Sequence, residues 1–293
     1  KLEGFGEKSE EDILRGIGFF KKSKGRFVLG YALPVLRDIE ERLRKLPEVK
    51  KVNVAGSTRR MKETIGDADF LVVSNKPQKV MDFFTSMPDI AHVYSKGPTK
   101  SMVKLKNGLD ADIRVVPEKS YGAALQYFTG NKDHNIALRK IAIGKRWKLS
   151  EYGIFDKRDK QIAGKTEEEV YEKLGMRCMP PELRENTGEI EAAMKNKLPK
   201  LIEYGSLKGD LQIQTKWTDG ANSIKEMADQ AKKLGLEYIA ITDHTKSLAM
   251  TGGLDEKKLQ QQRKEIEKVN KGLSGITILA GAEVNILKDG SLD

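Results

Sequence analysis

The stretch Gly56-Ser57-Thr58-Arg59-Arg60-Met61-Lys62-Glu63-Thr64-Ile65-Gly66-Asp67-Ala68-Asp69-Phe70-Leu71-Val72-Val73 decides how this chain is read. It follows the alternating run Val52-Asn53-Val54, whose period of two marks a strand ending in a Gly-Ser turn. Ser57, Arg59, Arg60 and Lys62, just past that turn, are candidate phosphate contacts. Gly66 then introduces Asp67-Ala68-Asp69, and the apolar run from Phe70 to Val73 continues a strand. Alternate residues of a strand share a face, so Asp67 and Asp69 project together. Two neighbouring carboxylates repel unless a cation lies between them, and hard oxygen ligands suit Mg²⁺, which binds protein carboxylates together with substrate phosphates. The plainer alternative is a turn aspartate beside a solvated strand aspartate. The Gly-Ser turn and its trailing arginine weigh against it.

Downstream lies a second acidic strand, Asp110-Ala111-Asp112-Ile113-Arg114-Val115-Val116. Asp110 and Asp112 share a face, so spacing alone leaves open which of them joins the first pair. Between Lys76 and Lys106 there are six lysines against two aspartates, and Ser95 to Lys100 reads as a turn joining two strand-like runs. Such lysines form either a solvated face or, between two acidic strands, a seat for a polyanion. Further on, Tyr127-Phe128-Thr129-Gly130 closes one helix, and Asp133 can cap the next. On that helix Asn135 and Arg139 stand at i and i+4, hence on one face.

Gly-Ser, a spacer and Asp-x-Asp on a strand resemble the palm signature of the nucleotidyltransferase superfamily. Those features alone would also suit a tRNA-tailing or antibiotic-modifying transferase. Tyr-Phe-Thr-Gly followed by Asn-x-x-x-Arg resembles the thumb of the family X DNA polymerases, the DNA polymerase beta-like repair enzymes. The resemblance implies Asp67, Asp69 and Asp112 as catalytic carboxylates holding Mg²⁺, with Mn²⁺ as a substitute. Asp112 is chosen over Asp110 because the family's third acid precedes a hydrophobic-Arg-hydrophobic run, which leaves Asp110 without a role. Gly56, Ser57, Arg60 and Gly66 would bind the β,γ-phosphates. Tyr127 and Phe128 would lie beneath the incoming sugar, with Gly130 at the same turn. Asn135 would reach the base edge, and Arg139 the templating side. Lys96, Lys100 and Arg114 are the expected DNA contacts of this region.

The first residues, Leu2-Glu3-Gly4-Phe5-Gly6-Glu7-Lys8-Ser9, run into the apolar spacing Ile13, Leu14, Ile17. A Gly-x-Gly turn feeding a helix N-terminus points backbone N–H groups at an anion, so Gly4 and Gly6 are candidate DNA-phosphate contacts. The segment is similar to the second half of a helix-hairpin-helix, or it is an ordinary Gly-rich helix cap. The abrupt ends at Lys1 and Asp293 read as those of a piece of a longer chain.

From Gly209 the periodicity becomes β-α-β, with Asp219, Asp243-His244 and Glu283 gathered where strands end. This part resembles the start of a PHP (polymerase and histidinol phosphatase) domain, and Asp219, His244 and Glu283 match three of its metal-ligand positions. The family's opening His-x-His is here Gln212-Ile213-Gln214. Glutamine amides are poor ligands for the metals that imidazole holds, so a metal-dependent 3′-exonuclease is not expected of this segment.

At 293 residues the chain is long enough for two or three domains. Its net charge of +10 and pI near 9.3 fit a polyanionic partner or simple solubility. The single Cys178 excludes a disulfide framework and fits a reducing compartment. No signal peptide appears, and no apolar run approaches the ~20 residues of a membrane span. The expected fold class is an α+β nucleotidyltransferase palm with a thumb subdomain, followed by an α/β partial PHP (β/α) barrel. Residues 1–30 would end the helix-hairpin-helix fingers, 31–117 form the palm, 118–188 the thumb, 189–208 a linker and 209–293 the N-terminal part of the PHP domain. The expected activity is templated addition of dNTPs at primed or gapped duplex DNA, by a cytoplasmic, nucleoid-associated monomer with no membrane partner. The rivals are a non-catalytic DNA end-binding scaffold and a PHP-type phosphoesterase.

Overall fold

The computed structural model describes residues 25–293, so the expected phosphate contacts Gly4 and Gly6 lie outside the described residues. The chain divides into two compact units, one ending at Pro199 and the other starting at Lys200. Among the described residues no helix is long and apolar enough to cross a membrane.

In the first unit, strand β1 (Phe27–Val28) leads into helix α1 (Leu29–Arg44). Leu36, Ile39 and Leu43 follow the 3-4 spacing of an amphipathic helix and are fully buried, so α1 lays one face on a sheet. The spacing predicts a start at Pro34, but the helix begins at Leu29 and carries Pro34 in its second turn. The backbone bond that Pro34 cannot make would end on the carbonyl of Gly30, which is exposed to solvent.

The chain continues through β2 (Val49–Val54), a single helical turn α2 (Gly56–Arg59), β3 (Thr64–Ile65), β4 (Asp67–Ser74), α3 (Pro77–Thr85), β5 (Ile90–Lys96), β6 (Lys100–Leu105) and β7 (Asp110–Val116). β1 and β3 pair with each other, and the rest form a sheet in the order β2-β4-β7-β6-β5. Within it β4 and β7 run parallel, and the other pairs are antiparallel.

The two faces of β4 do different work. Ala68, Phe70 and Val72 enter the main core with Leu36, Ile39, Val80 and Phe84 of the covering helices. Each of these side chains larger than alanine contributes roughly 1.5–3 kcal/mol on full burial. Leu71 and Val73 face the other way, into a cluster with Val116, Tyr121, Ala124 and Leu125. Asp67 and Asp69 share that second face by strand alternation. β7 repeats the pattern, with Ile113 and Val115 in the main core and Asp110, Asp112 and Arg114 on the face of Val116. One face therefore changes from acidic to apolar along both strands, and the helix that covers its apolar end leaves the carboxylates open.

That covering helix is α4 (Tyr121–Thr129), followed by α5 (Lys132–Gly144), the short antiparallel strands β8 (Lys148–Ser150), β9 (Gly153–Phe155) and β10 (Gln161–Ala163), and then α6 (Glu167–Leu174) and α7 (Glu189–Met194). α4 meets the start of α6 at Gly122, where a Cβ would lie 2.0 Å from the Thr166 backbone. Leu138, Ile154, Val170, Tyr171 and Leu174 form a second core. Asp133 does not cap α5: the cap is Asn131, whose side chain accepts a hydrogen bond from the His134 amide at 2.8 Å. Helical geometry begins at Lys132, so Asp133 falls inside the first turn, where its charge complements the helix dipole. Ile190 and Ala193 of α7 join the second core, within the stretch 189–208 read from its polarity as a linker.

The second unit has three parallel strands, β11 (Gly209–Ile213), β12 (Tyr238–Ile241) and β13 (Thr277–Ala280), linked by α8 (Ile224–Lys233) and α9 (Glu256–Lys271). Ile213, Ile224, Ala228, Ile239, Ile266 and Ile278 fill its core. Ser223 and Glu226 form a reciprocal capping box at the start of α8.

Candidate active site

The parallel register of β4 and β7 sets Asp67 opposite Asp110 and Asp69 opposite Asp112. Asp69 is half-buried. Desolvation, then the charges of Asp67 and Asp112, push its carboxyl up to about 7, while Arg114 and Lys100 pull it down. Lys100 Nζ lies 3.1 Å from Asp112 Oδ2. Asp110 is engaged elsewhere, by Lys104 Nζ at 2.9 Å and the Tyr94 hydroxyl at 3.0 Å. The carboxylate for which sequence supplied no role therefore sits in an ion pair.

Gly56 has φ +62°, and a Cβ there would lie 2.8 Å from Asp69 Oδ2. Only glycine lets the turn pass so close to that carboxylate. Among the described residues no three acidic, histidine or cysteine side chains already converge as an ion cage. The set Asp67, Asp69 and Asp112 is nonetheless all oxygen and mutually repelling, a donor chemistry that fits Mg²⁺.

A cleft of about 370 Å³ opens at this acidic end. Gly56, Ser57, Arg60, Asp67 and Asp69 line it from the sheet, and Tyr127, Phe128, Gly130, Asn135 and Arg139 from the helices. Gly66 and Asp112 do not line it. The Tyr127 and Phe128 rings meet edge-on at 5.2 Å. Asn135 is buried and held: its Nδ2 donates to the Tyr127 carbonyl and its Oδ1 accepts from Gln126 Nε2, both at 2.7 Å. The Arg114 guanidinium stacks 4.8 Å from the Phe128 ring centroid, which places its charge beside the carboxylates.

The four polar residues after the Gly-Ser turn separate. Arg60 faces the cleft, whereas Arg59 donates to both oxygens of Glu167 at 2.9 and 2.6 Å and to Thr129 Oγ1 at 2.7 Å. Glu167 also takes the buried Arg184. Each residue of a helical turn rotates by about 100°, so consecutive arginines cannot point alike. Lys62 lies 3.7 Å from Glu185. Lys96 pairs with Asp82 at the surface.

In the second unit His244 lies 3.6 Å from Asp219 and 3.7 Å from Glu283. Gln212 and Gln214 both donate their side-chain amides to Glu283 Oε2. Their N–H groups occupy the carboxylate that a metal would use, so the residues present do not fit the family's metal cluster.

Residues 124–185 match the DNA polymerase beta thumb family, and residues 210–292 match the PHP domain family. Over 295 aligned residues, taking in all of this chain, identity is 41% to the DNA polymerase/3′-5′ exonuclease PolX of Bacillus subtilis (strain 168). Both matches and this relative fit the expected resemblance to family X DNA polymerases that carry a PHP domain. It spans 51% of that relative's length.

Two features of the site are missed by sequence pattern. Lys132 and Asn131 also line the cleft, and their only sequence signal is the position just after Tyr-Phe-Thr-Gly. Glu185, bonded to Arg60, has no local pattern that would reveal it.

Proposed function

We propose that this chain is a template-directed DNA polymerase that adds dNTPs to a primer 3′-hydroxyl at gaps in DNA. The observation that carries the reading is the open row of Asp67, Asp69 and Asp112 beside a cleft walled by Tyr127, Phe128 and Asn135. The five-stranded sheet would be the palm, and α4 to α6 the thumb.

The primer oxygen attacks the α-phosphorus of the dNTP, its bond to phosphorus forms as the bond to pyrophosphate breaks, and the hydroxyl proton leaves to solvent. Asp67, Asp69 and Asp112 would hold Mg²⁺, which when bound neutralises the triphosphate and acidifies the 3′-hydroxyl. Gly56, Ser57 and Arg60 would grip the β,γ-phosphates through backbone N–H groups, a hydroxyl and a fixed guanidinium. Tyr127 and Phe128 give the sugar an apolar wall, and Asn135, fixed by Gln126, offers its remaining amide hydrogen to the base edge. Positioning and charge neutralisation carry most of phosphoryl transfer, and this site supplies both. Lys100 and Lys96 would meet the DNA backbone. The setting would be a cytoplasmic monomer working on nucleoid DNA, with a structural or DNA-docking role for the PHP unit.

The test is primer extension on a gapped duplex with Mg²⁺ and Mn²⁺ compared. The expected result is incorporation of the nucleotide complementary to the template. No incorporation, or incorporation that ignores the template, would overturn the reading.

A further inference from the structure

We propose that Glu185 is a positioning residue for triphosphate binding, holding Arg60 from behind so that its unused N–H groups face the cleft. The inference rests on reading the cleft as a nucleotide site. Arg60 Nε donates to Glu185 Oε1 at 2.8 Å, and Arg60 Nη1 donates to the Thr129 carbonyl oxygen. A guanidinium carries five N–H donors, so these two bonds leave the Nη2 edge for an anion. Arg60 lines the cleft, and Glu185 does not. A carboxylate that competed with phosphate would have to stand between the arginine and the cavity. Glu185 stands outside it, and so acts as a brace.

The brace is itself held. Asn131 Nδ2 donates to the second oxygen of Glu185 at 2.8 Å, and Lys62 Nζ lies 3.7 Å from the first. The preceding residue, Arg184, is 1% exposed and donates to the Met179 carbonyl at 3.0 and 2.7 Å. Its own carbonyl accepts from the Asn131 N–H at 3.0 Å. Partial burial would raise the Glu185 carboxyl, yet Arg60, then Asn131 and Lys62, hold it below its ordinary value, so it stays charged. An arginine fixed beforehand loses less side-chain freedom on gripping phosphate than a mobile one, and that difference appears as affinity.

The test uses the full chain with Glu185→Ala, Glu185→Gln, Glu185→Asp and Arg60→Ala. KM and kcat for single-nucleotide incorporation are measured beside calorimetric binding of inorganic tripolyphosphate with Mg²⁺. Glu185→Ala should raise both the dNTP KM and the tripolyphosphate Kd about tenfold, with kcat changed far less. Glu185→Gln, whose carbonyl oxygen still accepts from Arg60 Nε, should recover most of the loss. In an Arg60→Ala background the alanine substitution should add nothing. Where Glu185→Ala does not fold, Glu185→Asp, which withdraws the carboxylate by one methylene, reports the same loss. Unchanged or tighter tripolyphosphate binding, or a fall in kcat alone, overturns the proposal. A parent chain that incorporates no nucleotide would sink the polymerase reading, and the tripolyphosphate arm would still decide the role of Glu185.

Discussion

Asp69 stands opposite Asp112 across the parallel strands β4 and β7, and Lys100 reaches Asp112 from the neighbouring strand at 3.1 Å. Asp110 faces Asp67 in the same register but is taken up by Lys104 and Tyr94. Asp112→Asn should abolish nucleotide addition while gapped-DNA binding stays within a few fold. Asp110→Asn should retain most activity. An active Asp112→Asn enzyme beside a dead Asp110→Asn one would reverse the assignment.

Arg59 and Arg60 are adjacent in sequence and differ in expected phenotype. Arg59 bridges to Glu167 and Thr129 and does not line the cleft. Arg59→Ala removes charged hydrogen bonds from a buried carboxylate that Arg184 still partly satisfies, and should cost roughly 1.5–3 kcal/mol of stability. Denaturant unfolding measures that loss. A full-strength unfolding midpoint combined with a raised dNTP KM would mean instead that Arg59 contacts phosphate.

His134 is buried between Glu189 Oε1 at 2.6 Å and the Tyr171 hydroxyl at 3.0 Å. Burial holds its imidazole below the ordinary value, against the pull of Glu189. In the unfolded chain the ring takes up a proton near pH 6.5, whereas the folded chain protonates only at lower pH. The unfolded state thus binds more protons in that interval, and stability should fall as pH drops from about 7 toward about 5. His134→Gln should flatten this dependence even if it lowers stability throughout. An equally steep loss in the variant would place the acid sensitivity elsewhere.

Much of this architecture could be read from strand period and residue chemistry. Asp110–Val116 has the bounds that alternation implies, because buried and exposed positions on a strand repeat every two residues. Asp67 and Asp69 declared their shared face the same way. Pairing between strands was not legible: only the register of β4 on β7 places Asp112, not Asp110, opposite Asp69. The separate fates of Arg59 and Arg60 were hidden too, since α2 is one turn long and shows no periodicity. Glu185 lies 125 residues from Arg60, a separation that no local pattern spans.

Lys96 and Lys100 divide along the same lines. Lys96 pairs with Asp82 at the surface, whereas Lys100 pairs with Asp112 in the acidic row. Replacing both with alanine should weaken DNA binding about equally for all sequences. It should also flatten the log-log salt dependence by up to about two units, roughly 0.9 for each phosphate no longer neutralised. The single substitutions should differ, with Lys100→Ala also changing nucleotide addition. An unchanged salt slope would return both lysines to a solvated face.

The PHP unit sets resemblance against residue chemistry. The Bacillus subtilis relative is named a polymerase and a 3′-5′ exonuclease, and this chain retains Asp219, His244 and Glu283, with His244 within 3.7 Å of both carboxylates. The amides of Gln212 and Gln214 both donate to Glu283 Oε2, the role a cation would otherwise take. An amide that donates through its N–H groups satisfies the carboxylate without presenting a ligand atom to a metal. The chain should therefore show negligible 3′-exonuclease activity on a 5′-labelled single strand, even with Mn²⁺. Gln212→His with Gln214→His should create Mn²⁺ or Zn²⁺ binding measurable by calorimetry, because two imidazoles replace two donors that shield Glu283. If the parent already degrades the strand and Asp219→Ala stops it, the glutamines are tolerated in a working metal site, and the amide contacts to Glu283 must give way when metal binds.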